Sequence, residues 1–160
     1  MKKTILYLMM AVATTSCNSN ETTTTTKVET NEKNSTTSFT VDGVTIKGDV
    51  STQYFGSNKE TDNFSVLCQQ DEPLVLLQAT FASEKDATNS GLKPKGFDGY
   101  KVDIGQFSLT LTPAGHNGQF VATDKTEGAI KIENNKIVIN NMKLYNREGK
   151  ETVVSGTIVF

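Results

Sequence analysis

The chain has 160 residues and a formal net charge of −2 at pH 7, from 16 Lys and Arg against 18 Asp and Glu. Nucleic-acid-binding domains carry a basic patch and a high isoelectric point, so this balance argues against a nucleic-acid partner. One histidine, two cysteines and no tryptophan leave few residues for a protein-supplied zinc site and no indole ring on which a sugar could stack.

Residues 1–16 have the layout of a secretory signal peptide. Lys2 and Lys3 precede an apolar run at residues 5–13, and three small residues follow. A basic start, an apolar middle and small residues at the cleavage site define such signals. The apolar run is far shorter than the roughly 20 residues of a membrane-spanning helix. We therefore expect residues 1–16 to be removed on export.

The end of this segment, Thr14-Thr15-Ser16-Cys17, resembles the lipobox of bacterial lipoproteins, in which the first position is commonly Leu. The resemblance implies attachment of a diacylglycerol to the Cys17 thiol, cleavage before Cys17 and frequent acylation of the new amine, with palmitate as a common acyl chain. Together these give a lipid anchor in the cell envelope. Asn18 follows the cysteine where an Asp would favour retention in the inner membrane, so the outer membrane is favoured. The resemblance covers about the first twenty residues.

Residues 17–37 consist of that cysteine and a Thr/Asn-rich segment with Val28 as its only large apolar side chain. Such a segment buries too little apolar surface to offset the entropy of ordering it. We expect a disordered tether between the lipid and a folded domain. A glycosylated stalk is the alternative for its threonine run.

Residues 38–160 then form a single domain in which apolar residues recur with period two, as in β-strands. In residues 39–46 the pair Asp42-Gly43 is a strong signal for a two-residue hairpin turn. Runs at 63–70 and 73–82 follow. The second is apolar on both faces at 74–77 and is therefore expected to be a central strand.

The polar segment 83–92 predicts one short helical turn opened by Ser83 and Asp86 and stopped by Gly91 and Pro94. Within 100–112 the apolar parity changes at Gly105-Gln106. One inserted residue turns all later side chains to the opposite face, so the change predicts a β-bulge.

Residues 129–139 predict a hairpin that turns at Asn134-Asn135. In this register the isoleucines share one face, and Glu133 faces Lys136. Asn tolerates the positive φ that such turns require. A second change of parity at Asn140-Asn141 predicts another bulge, and residues 143–160 predict a third hairpin that turns near Glu148-Gly149.

About eight to ten short strands with at most one short helical turn predict an all-β domain, either an antiparallel β-sandwich or a partly closed barrel. The final strand contains Ser155-Gly156-Thr157 and ends in Phe160. It is similar to the last strand of small Bacteroidetes-like lipoproteins, a resemblance that implies no particular activity.

Few residues suggest catalysis. Cys68 alternates with Phe64 and Val66 on one face of a strand-like run, which favours a buried core position over a thiol nucleophile paired with His116. Glycines flank His116, as in an exposed loop. No cofactor or metal site is predicted. Carboxylates that could serve glycoside hydrolysis lie in predicted turns or loops: Asp71, Glu72, Asp98 and Asp103.

The long loop at 91–100, with two lysines and with Phe97 and Tyr100, suggests either a binding loop or an ordinary connection whose aromatic residues cover the core. The leading hypothesis is a non-enzymatic envelope lipoprotein whose β domain binds another envelope component, protein or glycan, or a small ligand. The alternatives are a small glycan- or cell-wall-acting enzyme that uses loop carboxylates, and an inhibitor or immunity-type lipoprotein.

Overall fold

The computed structural model describes residues 36–98, 101–115 and 118–160 of the chain. Ten strands and one 3-10 turn, Asp86–Thr88, make up its regular structure. The strands are β1 Thr36–Val41, β2 Val44–Tyr54, β3 Phe64–Gln70, β4 Val75–Phe81, β5 Lys93–Pro94, β6 Gln106–Thr112, β7 Phe120–Val121, β8 Ala129–Glu133, β9 Lys136–Tyr145 and β10 Glu151–Val159.

Eight of these strands form a closed antiparallel barrel. The order around it is β1-β2-β3-β4-β6-β7-β9-β10, and β10 pairs with β1 to close the ring. Two short strands lie beside this ring, β5 parallel to β6 and β8 antiparallel to β9. The all-β prediction is confirmed, and of the two predicted architectures the chain adopts the barrel.

Side chains fill the interior of the barrel, as expected for eight strands. Alternate residues of each strand point inward, as Leu77 and Ala79 do on β4 and Leu109 and Leu111 do on β6. The largest fully buried side chains come from six of the eight barrel strands: Phe39, Phe64, Leu77, Phe81, Phe107, Leu109, Leu111, Ile137, Ile139, Met142, Leu144 and Ile158.

The predicted hairpins are confirmed. Val41 faces Val44 across the Asp42-Gly43 turn. Glu133 faces Lys136 across Asn134-Asn135, and both asparagines have the positive φ that the turn requires. The third hairpin joins β9 to β10 through residues 146–150, and the fully buried Val154 supplies its inward face.

The second predicted bulge is also confirmed. Met142 pairs with Val154 and Ile139 pairs with Gly156, so two residues of β9 oppose Ser155 alone. Asn141 takes a left-handed φ of 45°, as the extra residue of a bulge often does.

The first predicted bulge is wrong. Strand β6 begins only at Gln106, and a turn closed by the Gln106 amide bonding to the Asp103 carbonyl precedes it. Val102 is buried, but Ile104 is 85% exposed. A turn changes the parity of apolar residues as a bulge does, and the sequence alone does not separate the two.

Strand β4 lies between β3 and β6, so the predicted central position is confirmed, although the strand begins at Val75 and leaves Leu74 exposed. The predicted helical turn is present, and the Ser83 hydroxyl accepts a hydrogen bond from the Asp86 amide. Strand β1 already includes residues 36 and 37, so the β domain begins slightly before the predicted residue 38. Within the described ranges there is no helix that is long and apolar enough to cross a bilayer.

Candidate functional site

The candidate site is a cleft on the outside of the barrel. Outward-pointing residues of β2, β4 and β6 line its floor, among them Gln53, Gln78 and Thr110. The residues that alternate with the inward-pointing Leu77 and Ala79 must point outward. Gln53, Ser65, Thr80 and Ser108 face one another in register across four neighbouring strands. At ~4.8 Å per strand this row spans roughly 14 Å. The floor is therefore polar, uncharged and long enough for an extended ligand.

A hydrogen-bond network fixes the centre of this floor. The hydroxyl oxygens of Ser65 and Thr80 are 2.6 Å apart, and the Gln78 amide nitrogen donates to each of them at 3.2 Å. Ser65 is fully buried and Thr80 nearly so. The amide oxygen of Gln78 has no hydrogen-bond partner among the described residues, and neither does the side chain of Gln53, and both residues line the cleft.

One wall of the cleft is the β2–β3 loop, residues 55–63. Phe55 is 55% exposed at its edge. The Asp62 carboxylate accepts the Asn58 amide at 2.7 Å and lies where a side chain on Gly56 would have to be placed. Asp62 therefore holds this loop in shape.

The opposite wall combines the segment before β6 with the β9–β10 turn. The guanidinium carbon of Arg147 lies 5.4 Å from the centre of the Phe97 ring. Asn146 shapes the turn, since its side-chain oxygen accepts the amides of Glu148 at 3.0 Å and Lys150 at 2.8 Å. The cleft between the two walls has a volume of about 1140 Å³.

A buried asparagine links the two walls from below. The Asn63 side chain donates to the carbonyl oxygens of Ala82, at 3.1 Å, and Val102, at 2.8 Å, and accepts the Val102 amide at 2.9 Å. It thereby pairs with Val102 as a neighbouring strand would. These hydrogen bonds fix the backbone of Val102 and thereby the position of the preceding residue, Lys101, which also lines the cleft.

Cys68 lies inside the barrel and is fully buried, which confirms the core position predicted for it. Burial, together with the charge of Asp49, raises the pKa of its thiol to about 11. Nucleophilic attack requires the thiolate, so the thiol of the folded chain is unsuited to catalysis.

The predicted carboxylates are not gathered in one place. Asp71 and Glu72 lie in the β3–β4 turn, whereas Asp103 lies at the opposite end of the barrel, and all three are exposed, as is Asp98. In the part of the chain that the structure describes, no three His, Cys, Asp or Glu side chains are grouped to hold a metal ion. Cys17, His116 and Tyr100 lie outside the described residues.

Sequence reasoning reached one wall of the cleft and missed the floor. The sequence suggests a binding loop at 91–100 as one of two interpretations, and Phe97 of this loop lines the cleft. No sequence signal marks Gln78 or Thr80 as part of a site, and Thr80 is buried in the structure. Arg147 is the only arginine in the chain, but nothing in the neighbouring sequence indicates that it lies beside Phe97.

Comparison of the chain with protein-family models, with curated proteins and with solved structures found no match.

Proposed function

We propose that this chain is a bacterial envelope lipoprotein, anchored through Cys17, whose β domain binds a glycan in the cleft. The anchor rests on the resemblance of residues 14–17 to a lipobox. The binding function rests on a single observation, the combination of an uncharged hydrogen-bonding floor with aromatic side chains on both walls. An outer-membrane location is favoured by Asn18 and belongs to the same proposal.

The chemistry of the floor favours a glycan over a peptide. Backbone amides and carbonyls of β3, β4 and β6 are paired within the sheet, so only side chains are available to a ligand on this face. The Ser65 and Thr80 hydroxyls already bond to each other and to Gln78. The groups left for a ligand are the Gln78 amide oxygen, which accepts hydrogen bonds, and the Gln53 amide, which both donates and accepts them. A ligand rich in hydroxyl groups satisfies them. A peptide would instead use a free strand edge or apolar pockets.

The aromatic side chains suit the apolar faces of sugar rings. Phe55 presents more than half of its surface, and such a large exposed apolar side chain at the rim of a cleft is typical of a binding site. In binding sites, a small number of precisely placed polar groups fixes the orientation of the ligand. Gln53 and Gln78 supply those groups here.

Binding is tested with the full-length chain in detergent on an array of neutral and acidic oligosaccharides, followed by titration calorimetry of the best binder. Gln78→Ala should weaken binding about 3- to 10-fold, because one or two uncharged hydrogen bonds are lost. Ser65 and Thr80 still bond to each other in this variant, so the fold is retained. The matched control is Gln69→Ala on the neighbouring strand, whose side chain bonds to Asp71 outside the cleft. Equal weakening by both variants, or no glycan binding at all, would contradict the proposal, and release of shorter sugars would favour an enzyme.

The anchor is tested by metabolic labelling with an alkyne fatty acid. Wild type and Cys68→Ala should label, whereas Cys17→Ala should not, because Cys68 is enclosed by the barrel. Equal labelling of all three proteins would contradict lipidation at Cys17.

A further inference from the structure

We infer that the glycan carries carboxylate groups, and that Arg147 receives one of them where it stacks on Phe97. This inference rests on the proposed function and adds the chemical class of the ligand. Four charged residues line the cleft: Asp62, Lys101, Arg147 and Glu148. The acidic and basic members of this set differ in whether they are already engaged within the chain.

Both acidic residues have partners. The Asp62 carboxylate accepts the Asn58 amide at 2.7 Å. The Glu148 carboxylate lies 3.3 Å from the Lys150 ammonium group. Neither is required to receive a donor from the ligand.

Both basic residues lack such partners. Among the described residues, no carboxylate lies within ion-pair distance of Arg147 or Lys101. Neither of these two positive groups therefore forms an ion pair within the described residues. An acidic group on a ligand would supply the partner.

The placement of Arg147 is suited to recognising a carboxylate. Its guanidinium group is oriented by the Phe97 ring at 5.4 Å, an arrangement stabilised by the attraction of a cation to an aromatic face. The N–H groups of a guanidinium form a planar fork that matches the two oxygens of a carboxylate. Because the turn that carries Arg147 is held by Asn146, little further ordering is needed on binding.

Lys101 adds a second positive charge without the same directional geometry. An ammonium group acts as a point charge on a flexible stem. We therefore assign the orientation of the acidic sugar to Arg147 and a general attraction for acidic chains to Lys101. The attraction should weaken as salt is added, since exposed charges are screened.

The test uses two probes that differ only in charge, a galacturonate hexasaccharide and the same oligosaccharide with its carboxylates reduced to hydroxymethyl groups. Wild-type full-length chain should bind the acidic probe at least ten-fold more tightly in low salt. Arg147→Gln should abolish most of that preference while leaving the affinity for the reduced probe unchanged. Arg147→Lys should keep only part of it, because the planar fork is lost. The control is Lys136→Gln, which removes an exposed positive charge at the start of β9, away from the cleft.

The outcomes separate this inference from the function on which it rests. Equal affinity for both probes would overturn the acidic ligand and leave glycan binding standing. Binding of a hexaglutamate peptide as tightly as the acidic sugar would overturn recognition of a sugar acid. Failure of both sugars here, together with failure of the array, would overturn the proposed function as well.

Discussion

Gly156 packs directly against Phe39 where the first and last strands close the barrel. The two residues face each other in the β1–β10 pairing. A Cβ atom on Gly156 would lie 2.7 Å from both the Cα and the Cβ of Phe39. Because these atoms belong to the backbone and its first side-chain carbon, they cannot move aside without shifting a strand.

Gly156→Ala should therefore destabilise the barrel by about 1–3 kcal/mol, the usual cost of overpacking. Urea unfolding followed by circular dichroism measures the change in the free energy of unfolding. Gly118→Ala is the matched control, since a Cβ there meets nothing within 4 Å. It should leave stability unchanged or slightly raised. Similar losses in both variants would indicate that closure does not depend on this contact.

Asn63 gives a second prediction, because three hydrogen bonds converge on its buried side chain. Asn63→Ala leaves the Val102 amide and two carbonyls without their partner. We expect a loss of about 2–4 kcal/mol from the unmade bonds. Urea midpoints at pH 7 measure it.

Asn63→Asp tests the direction of those bonds. An aspartate can accept the Val102 amide, but its second oxygen faces the carbonyl oxygens of Ala82 and Val102. The neutral form is therefore favoured in the folded state, and the pKa of the introduced carboxyl should rise above its usual value near 4. Stability is then lost as the pH rises through that pKa. The difference in the free energy of unfolding between wild type and Asn63→Asp should be larger at pH 7 than at pH 4. A difference that does not change with pH would contradict the assigned orientation of the Asn63 side chain.

The hairpins could be predicted from the sequence because their signals are local. Asn134-Asn135 and Asp42-Gly43 combine turn residues with facing apolar pairs only a few positions away. The bulge at Asn140-Asn141 was also readable, since Ile139 and Met142 must both reach the core. Turn chemistry, register and burial agree in these segments, so local reasoning was sufficient.

Closure of the barrel and formation of the cleft could not be predicted in this way. The β1–β10 pairing joins residues more than a hundred positions apart, and no local pattern encodes it. The error at Gly105 has the same origin. Val102 is buried and bonds to Asn63, thirty-nine residues earlier, a contact that no local pattern in the sequence indicates. Thr80 likewise becomes part of a cleft floor only because β6 lies beside β4.

Asp42 gives a third prediction, since it both forms a hairpin turn and joins that turn to β10. Its carboxylate accepts the Thr152 hydroxyl at 2.8 Å and the Val153 amide at 2.7 Å. Its φ of 50° is left-handed, which Asp and Asn tolerate better than Ala. Asp42→Ala should therefore lower stability by about 2–3 kcal/mol from lost hydrogen bonds and backbone strain.

Asp42→Asn separates the two contributions. Asn keeps the tolerance for positive φ and one acceptor for the Val153 amide, so the loss should be about half as large. Thermal unfolding of wild type, Asp42→Ala and Asp42→Asn at one pH ranks their stabilities. Equal losses for Ala and Asn would mean that the carboxylate charge, rather than φ or hydrogen bonding, dominates at this turn.

Cys68 gives a fourth prediction, on the dependence of stability on pH. Burial raises the pKa of its thiol from 9.0 to about 11. The folded chain therefore binds this proton more tightly than the unfolded chain does, so the stabilisation is complete below pH 9 and is lost as the pH rises towards 11. A pKa difference of two units contributes roughly 2–3 kcal/mol at most to the free energy of unfolding.

Lysine and tyrosine side chains in general also ionise at high pH and affect the stability of both proteins. The effect of the thiol is therefore measured as the difference in the free energy of unfolding between wild type and a variant without the thiol. In Cys68→Ser the side chain keeps a similar size but does not ionise below pH 11. The variant should be less stable than wild type at pH 8, because a hydroxyl is buried among apolar side chains, and the gap should narrow between pH 9 and 11. A thiol reagent should modify wild type only under unfolding conditions. Rapid modification of the folded chain at pH 8, or a gap that stays constant to pH 11, would contradict the buried, protonated thiol.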